Sequence, residues 1–121
     1  MAKDDYDVIV YRVLVYLYAC LKREIMFENV TFNESVRKNV SSDTYFADIL
    51  RMMQGEGLIE GLEFANAWGG DCILVSSVSD ARITAAGIRY LTENGTMKRV
   101  GDALKETVDI ISKLASILQL F

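Results

Sequence analysis

The chain has 121 residues, of which 51% are hydrophobic and 25% charged, and it contains neither proline nor histidine. This length suits a single compact domain, and the apolar content argues against a disordered chain. Without histidine, the sequence excludes Ser-His-Asp catalysis, Cys-His catalysis and histidine-ligated zinc. The net charge of −4 lowers the expectation of nucleic-acid binding, because phosphate contacts normally need a basic surface.

The first predicted element is a helix over residues 4–23, and Asp5 suits its N-terminus because acidic side chains there complement the helix dipole. Its apolar run over 8–21 contains Arg12 and is too short to span a membrane, so we expect a cytoplasmic protein. Two faces of the helix are apolar, which predicts cover by the domain core and by another helix or another subunit. Its tyrosines are interpreted as core or interface residues: Tyr6, Tyr11, Tyr16 and Tyr18.

The two cysteines have neither the spacing of a metal site nor that of a disulfide framework. Cys20 lies in the apolar helix and is expected to be a small buried hydrophobe. Cys72 follows Gly69, Gly70 and Asp71, a sequence typical of an exposed turn. We expect no metal ion and no cofactor.

Two shorter helices are predicted next, joined by a short connection typical of a helix-turn-helix. Asn33 suits the N-cap of a helix over 34–39, and Ser41 or Ser42 suits the N-cap of a second helix that ends at Gly55. Apolar residues of the second helix are predicted to face the core: Phe46, Ile49, Leu50 and Met53. Its opposite face is predicted to be exposed: Asp43, Thr44, Ala47, Asp48 and Arg51.

A β region and a fourth helix follow. The predicted order is a strand over 58–64, a loop over 65–71, a strand or ordered loop over 73–77, a short strand over 81–83 and a helix over 85–93. Thr84 suits the N-cap of this helix. The small residues Ala85, Ala86 and Gly87 are predicted to let the helix start lie close to the strands.

Residues 96–121 carry the longest helical pattern, with apolar residues at three- and four-residue steps. This helix is short for an independent coiled coil, so we expect it to pack on the first helix or on a second subunit. Its candidate interface residues are Leu104, Val108, Ile111, Ala115 and Leu118. A β-hairpin directly after a helix-turn-helix is the winged-helix arrangement. We therefore predict a mainly α protein of the α+β class, with a winged-helix domain over 1–95 and an additional C-terminal helix over 96–121.

Three segments carry a family resemblance: KDDYDVIVYRVLVYLYACLK over 3–22, GEGLIEG over 55–61 and RITAAGIRYL over 82–91. Together they resemble the YjcQ family of small bacterial and prophage-encoded proteins with a winged-helix fold. The resemblance implies that fold and a prophage or mobile-element context, and it implies no catalytic residue. The third segment is also similar to PadR-like and MarR-like repressors, and the likeness to PadR implies a homodimer formed through the terminal helix.

The leading hypothesis is a non-enzymatic, dimeric winged-helix protein that binds double-stranded DNA as a transcriptional regulator. Its candidate DNA contacts are Arg37, Lys38, Thr44, Tyr45, Arg51 and Arg82. The alternative is a protein-protein interaction module without DNA affinity. Its candidate surfaces are the terminal helix and Trp68, unless the Trp68 side chain packs against the helix-turn-helix.

Surface charge separates these two hypotheses. A continuous positive patch on the helix over 42–54 and on the wing favours DNA. Dominance of acidic side chains there favours the interaction module, and the acids concerned are Asp43, Asp48, Glu60 and Glu63.

Overall fold

The structure, a computed structural model, describes residues 5–104. Within this range the chain is mainly helical, with two small antiparallel sheets of two strands each, as the predicted α+β class requires. The helices are α1 (Tyr6–Leu21), α2 (Asn29–Ser35), α3 (Asp43–Gly55), α4 (Ala85–Glu93) and α5 (Gly95–Leu104). The strands are β1 (Ile59–Glu60), β2 (Phe64–Asn66), β3 (Cys72–Leu74) and β4 (Arg82–Ile83). Short 3-10 helices span Arg37–Asn39 and Val78–Asp80.

Helix α1 lies at the centre of the fold and confirms the first predicted helix. Helices α2 to α5 and strand β4 all contact it. Its second apolar face is therefore covered by other helices of the same chain. Its buried residues are Val8, Ile9, Val10, Tyr11, Val13, Leu14, Val15, Tyr16, Leu17 and Ala19. Among the described residues, no helix is both long enough and apolar enough to cross a membrane.

Tyr16 of α1 fixes the start of α2. Its buried ring packs edge-on against Phe27 and Phe32, with 5.3 Å between ring centroids in both pairs. Its hydroxyl accepts a hydrogen bond from the Glu28 amide (3.2 Å) and donates one to the Glu28 carbonyl oxygen (3.3 Å). Burial raises the pKa of the Tyr16 phenol, so the hydroxyl stays protonated and serves as both donor and acceptor.

Helix α1 ends in a Schellman motif, in which the Arg23 amide donates to the Cys20 carbonyl and the Glu24 amide donates to the Ala19 carbonyl. Arg23 occupies the position that glycine usually holds in this motif. Its φ of 63° is the only positive value for a non-glycine residue in the described part of the chain. A residue with a Cβ is strained in this conformation.

The first helix of the helix-turn-helix differs from the prediction. Helix α2 runs over Asn29–Ser35, so Asn33 lies inside it and not at its N-cap, and the predicted helix over 34–39 is wrong. The physical reason is that the hydrogen bonds from Tyr16 hold Glu28 at the helix start, a contact from outside the segment.

The second helix confirms the prediction. The Ser42 hydroxyl accepts a hydrogen bond from the Tyr45 amide at 3.2 Å, which makes Ser42 the N-cap of α3. The predicted core residues are buried: Phe46, Ile49, Leu50 and Met53. Ala47 is buried as well, so its predicted exposure is wrong.

Strands β1 to β4 form one long antiparallel hairpin, called the hairpin below, over residues 59–83. At its base Ile59 lies opposite Ile83, and further out Ala65 lies opposite Ile73. Gly61, between the two parts, has a φ of +97°. A Cβ there would lie 2.4 Å from the Asp80 carbonyl oxygen, so the close approach of the two chain segments requires glycine.

Three predictions for the hairpin are corrected by this pairing. The strand predicted over 58–64 is divided by Gly61 into β1 and the start of β2. The loop predicted over 65–71 begins too early, because Ala65 and Asn66 pair with β3. Cys72 is buried in β3 and does not lie in an exposed turn.

Helix α4 packs directly on the base of the hairpin. The Thr84 hydroxyl accepts a hydrogen bond from the Gly87 amide at 3.0 Å, which confirms the predicted N-cap. A Cβ at Gly87 would lie 2.2 Å from the Leu58 carbonyl oxygen, so the small residue is needed there. Ala85 and Ala86 are exposed, and the prediction that they too allow this approach is wrong.

Helix α5 starts at an Asn94 cap, whose side-chain oxygen accepts hydrogen bonds from the Thr96 amide (2.9 Å) and the Met97 amide (3.2 Å). Met97 is fully buried, and α5 packs against α1 and α4. Leu104 is half-buried and packs against the same core. The other candidate interface residues lie outside the described residues: Val108, Ile111, Ala115 and Leu118.

Candidate interaction surface

Helix α3 and the hairpin together form one face of the molecule, and Gln54 holds them in register. The Gln54 Nε2 donates to the Leu62 carbonyl oxygen, and its Oε1 accepts from the Leu62 amide, both at 2.9 Å. Leu62 lies between the two paired regions of the hairpin and has no partner on the opposite strand. The two hydrogen bonds from Gln54 therefore satisfy its backbone amide and its carbonyl oxygen. Nothing in the sequence marks Gln54, because side-chain to backbone contacts of this kind leave no periodic pattern.

A cleft of about 300 Å³ lies between α3 and β3. Its walls are largely apolar and include Phe46, Ala47, Leu50, Cys72, Ile73 and Leu74. Asp43 and Thr44, at the start of α3, form its polar edge. Ala47 lies in this wall, which explains its burial on the side of α3 that was predicted to face solvent.

Trp68 lies at the tip of the hairpin and does not pack against α2 or α3, the predicted helix-turn-helix. Its relative exposure is 101%, so it makes no packing contact of consequence within the described chain. The tip is held by a hydrogen bond from the Ala67 amide to the Asp71 carbonyl oxygen at 2.7 Å. Ile73 (40% exposed) and Val75 (55%) extend the apolar surface down one strand. Exposed apolar groups of this size and number indicate a contact surface.

Arg37, a candidate DNA contact, is engaged within the fold. It forms an ion pair with Asp43, and its Nη1 donates to the Val40 carbonyl oxygen at 2.8 Å. Its guanidinium also lies 5.5 Å from the centre of the Phe46 ring. These contacts tie the 3-10 helix to the start of α3, so the Arg37 charge is already matched by a carboxylate.

The other candidate cations on this face are paired too. Lys38 lies 3.6 Å from a carboxylate oxygen of Glu34, and Arg51 lies 3.8 Å from one of Asp48. Thr44 is exposed at the start of α3, and Tyr45 beside it is half-buried. The structure thus brings Thr44, Tyr45 and Arg51 together on α3, but it surrounds them with carboxylates.

Arg82 lies away from these residues, at the base of the hairpin. Its Nη1 donates to the carbonyl oxygens of Ser79 (2.9 Å) and Ala81 (3.0 Å). Two backbone carbonyls therefore hold the guanidinium close to β4, and they orient it without neutralising it.

The hairpin is acidic except at its base, where Arg82 lies, and the acidic segment begins at the end of α3. Residues 52–81 contain five acidic residues and no basic residue. All five are exposed: Glu56, Glu60, Glu63, Asp71 and Asp80. Asp43 and Asp48 on α3 are paired with Arg37 and Arg51, so the excess negative charge of this region comes from the five hairpin-side acids, and such an excess disfavours phosphate.

Neither metal-binding groups nor a reactive thiol were found in the described part of the chain. No group of three or more His, Cys, Asp or Glu side chains is placed there to hold a metal ion. Cys20 is half-buried, and burial raises the pKa of its thiol to about 11, against the opposing effect of Arg82 and Arg23.

The described residues form a small, mainly α domain with an apolar cleft beside α3 and an acidic hairpin. The chain matches the family model described as YjcQ protein over residues 11–110 and belongs to the YjcQ family. No curated protein and no solved structure gives a significant match.

Proposed function

We propose that this chain is a winged-helix module that binds a protein partner through α3 and the hairpin. The order of elements supports the winged-helix assignment, because α2 and α3 are followed directly by a long hairpin and then by α4. In this architecture the hairpin is the wing and α3 is the recognition helix. Fold alone does not determine the ligand, so the proposal depends on the chemistry of the surface.

The observation that carries the proposal is the pairing of charges on this face. Arg37, Lys38 and Arg51 each lie beside a carboxylate, and the hairpin over 59–83 adds four exposed acids and one cation, Arg82, at its base. An apolar cleft lies between α3 and β3, and the exposed Ile73 borders it, while Trp68 is exposed at the tip of the same hairpin. The complementary partner is a basic segment of protein that carries apolar side chains, since such a segment matches both the charge and the apolar groups.

Recognition of double-stranded DNA is the second candidate function, and the exposed Arg51 and Thr44 on α3 favour it. Arginine on a recognition helix makes the commonest specific base contact. Exposed ion pairs such as Arg51–Asp48 contribute only about 0–1 kcal/mol, so phosphate could displace the carboxylate. The proposed context is a regulatory role in a prophage or mobile element.

One fluorescence experiment tests both functions, because Trp68 is the only tryptophan of the chain. The protein is titrated at low salt with a synthetic peptide of alternating lysine and leucine, with a glutamate-leucine peptide, and with duplex DNA. We expect the lysine-leucine peptide alone to shift the Trp68 emission to shorter wavelength. Binding of the glutamate-leucine peptide with equal affinity would contradict the predicted charge complementarity.

Matched variants locate the contact. The double variant Ile73→Ser, Val75→Ser is expected to weaken peptide binding, because it removes exposed apolar groups of the hairpin. Val30→Ser, which removes a similarly exposed apolar side chain from α2, is expected to leave binding unchanged. Binding of duplex DNA that Arg51→Gln weakens would replace the protein partner with DNA as the function.

A homodimer formed through the C-terminal helix is a separate part of the proposal. The truncated control must keep α5, because Met97 and Val100 are fully buried in the core. In sedimentation, the full chain is expected to have the mass of two chains and a chain that ends after Leu104 the mass of one. The same number of chains per particle for both proteins would rule out dimerisation through the residues after Leu104.

A further inference from the structure

We propose that a second cleft, between the end of α1 and the base of the hairpin, binds a small amphipathic anion: a carboxylate on an apolar body. This cleft has a volume of about 450 Å³, within the range of about 300–1,000 Å³ that small-molecule sites occupy. Its walls are mostly apolar and include Leu17, Leu21, Ile25, Met26, Phe27 and Ile83. Met26 is 78% exposed, so the rim offers apolar surface to a ligand.

Two guanidinium groups border this cleft, and both have donors to spare. Arg23 Nη1 donates to the Cys20 carbonyl oxygen at 3.4 Å, and Arg82 Nη1 donates to the carbonyl oxygens of Ser79 and Ala81. These hydrogen bonds use only Nη1, whereas an arginine has five N–H groups. The Nε and Nη2 groups remain for an anion, and two arginines suit the two oxygens of a carboxylate.

The charges of Arg23 and Arg82 are not neutralised by the described residues. No carboxylate oxygen of residues 5–104 lies within 4.0 Å of either guanidinium, whereas four other cations have such a partner: Lys22, Arg37, Lys38 and Arg51. Both arginines also act on the pKa of the Cys20 thiol, which borders the same cleft. The two arginines oppose the burial that raises the pKa of this thiol, so their positive field is felt at the cleft wall beside Cys20.

The backbone at Arg23 adds an independent argument. Arg23 holds the left-handed position of the Schellman motif at a φ of 63°, where glycine is free of strain. Stability of the helix end alone would favour glycine at this position. Arg23 thus combines a strained backbone with a guanidinium that lines the cleft and forms no ion pair with the described residues, and strain of this kind often accompanies a functional site.

Calorimetric titration with octanoate, below the concentration at which it forms micelles, tests this site. The Met26 methyl resonance serves as a local probe of occupancy. We expect octanoate to bind and to shift this resonance, and we expect octanol, which lacks the charge, to bind at least about tenfold more weakly. Equal binding of octanol, or no binding of octanoate, would overturn the proposal, and binding only to anionic lipid vesicles would replace it with a membrane-surface site.

The variant Arg23→Gly separates binding from folding. It removes one guanidinium and relieves the strain, so octanoate affinity should fall about tenfold while the thermal midpoint stays level or rises. Arg82→Gln should weaken binding similarly. Arg51→Gln, which removes one positive charge outside the cleft, should leave octanoate affinity unchanged. Full affinity in both Arg23→Gly and Arg82→Gln would show that the arginines do not hold the anion. The result is independent of the peptide titration, because the two clefts share no residue.

Discussion

Helix α1 and the hairpin are both rich in apolar residues, but they place these residues in different environments. Side chains around the whole circumference of α1 are buried, because helices on several sides cover it. On the hairpin, by contrast, Trp68, Ile73 and Val75 are exposed, and exposed acids lie among them. The buried apolar groups of α1 stabilise the fold, whereas those of the hairpin are available to a partner.

The charges of the helices and of the hairpin also differ. In the helices, Arg37, Lys38 and Arg51 are offset by nearby carboxylates. The hairpin carries uncompensated acids, and its one cation, Arg82, lies at the base beside the second cleft. The helical core thus supports two clefts in different surroundings: one beside α3 with Asp43 at its edge, and one bordered by Arg23 and Arg82.

Replacing a central residue of α1 is expected to have the largest effect on stability. Leu14 is fully buried, so Leu14→Ala should lower the free energy of unfolding by about 3 kcal/mol through lost apolar contacts and the cavity that remains. Urea denaturation measures this change. Leu21→Ala in the same helix is the control, because Leu21 is 44% exposed and should cost well under half as much. Equal losses for both variants would contradict the central position of α1.

The junction between α4 and the hairpin is the next most sensitive point. Gly87→Ala should destabilise the fold by about 2 kcal/mol, because the new Cβ meets the Leu58 carbonyl oxygen at 2.2 Å and α4 must move away. Gly55→Ala is the matched control, since nothing lies within 4 Å of a Cβ at that position. Thermal denaturation of both variants measures the difference. A stable Gly87→Ala variant would show that the hairpin is not packed against α4 as described.

The Gln54 clamp tests the link between α3 and the hairpin. Gln54→Met keeps the length of the side chain but removes both hydrogen bonds to Leu62, so the free energy of unfolding should fall by about 1 kcal/mol. Amide exchange at Leu62 should accelerate, while exchange at the buried residues of α1 should change little. Unchanged protection of the Leu62 amide would mean that another group holds the hairpin.

Much of the helical fold could be predicted from the sequence because its determinants are local. Ser42 and Thr84 mark the starts of α3 and α4 through hydrogen bonds within one turn, and Phe46 and Ile49 follow the helical period into the core. The need for a small residue at Gly87 also followed from its place beside the strands.

The remaining errors have non-local causes. The start of α2 depends on Tyr16, which lies on another helix. The burial of Cys72 depends on how the hairpin folds against α3. The preceding Gly69 and Gly70 indicate a turn and do not reveal this contact. The candidate cations were chosen as separate residues, but the Arg37–Asp43 ion pair forms only when the 3-10 helix meets α3. The potential of a surface depends on such pairs, and spacing in the sequence does not reveal them.

The smallest effect on stability is expected at the hairpin tip. Trp68 is fully exposed, so Trp68→Ala should change the free energy of unfolding by less than about 0.5 kcal/mol, although it removes the largest apolar side chain of the chain. The same variant should weaken binding of the lysine-leucine peptide, measured by calorimetry because the fluorophore is lost. An effect on binding without an effect on folding would assign Trp68 to the contact surface. A loss of stability above about 1 kcal/mol would instead show that the tip packs within the protein. Trp68 would then stabilise the fold as the buried residues of α1 do, and it would no longer count as an exposed apolar residue of the hairpin.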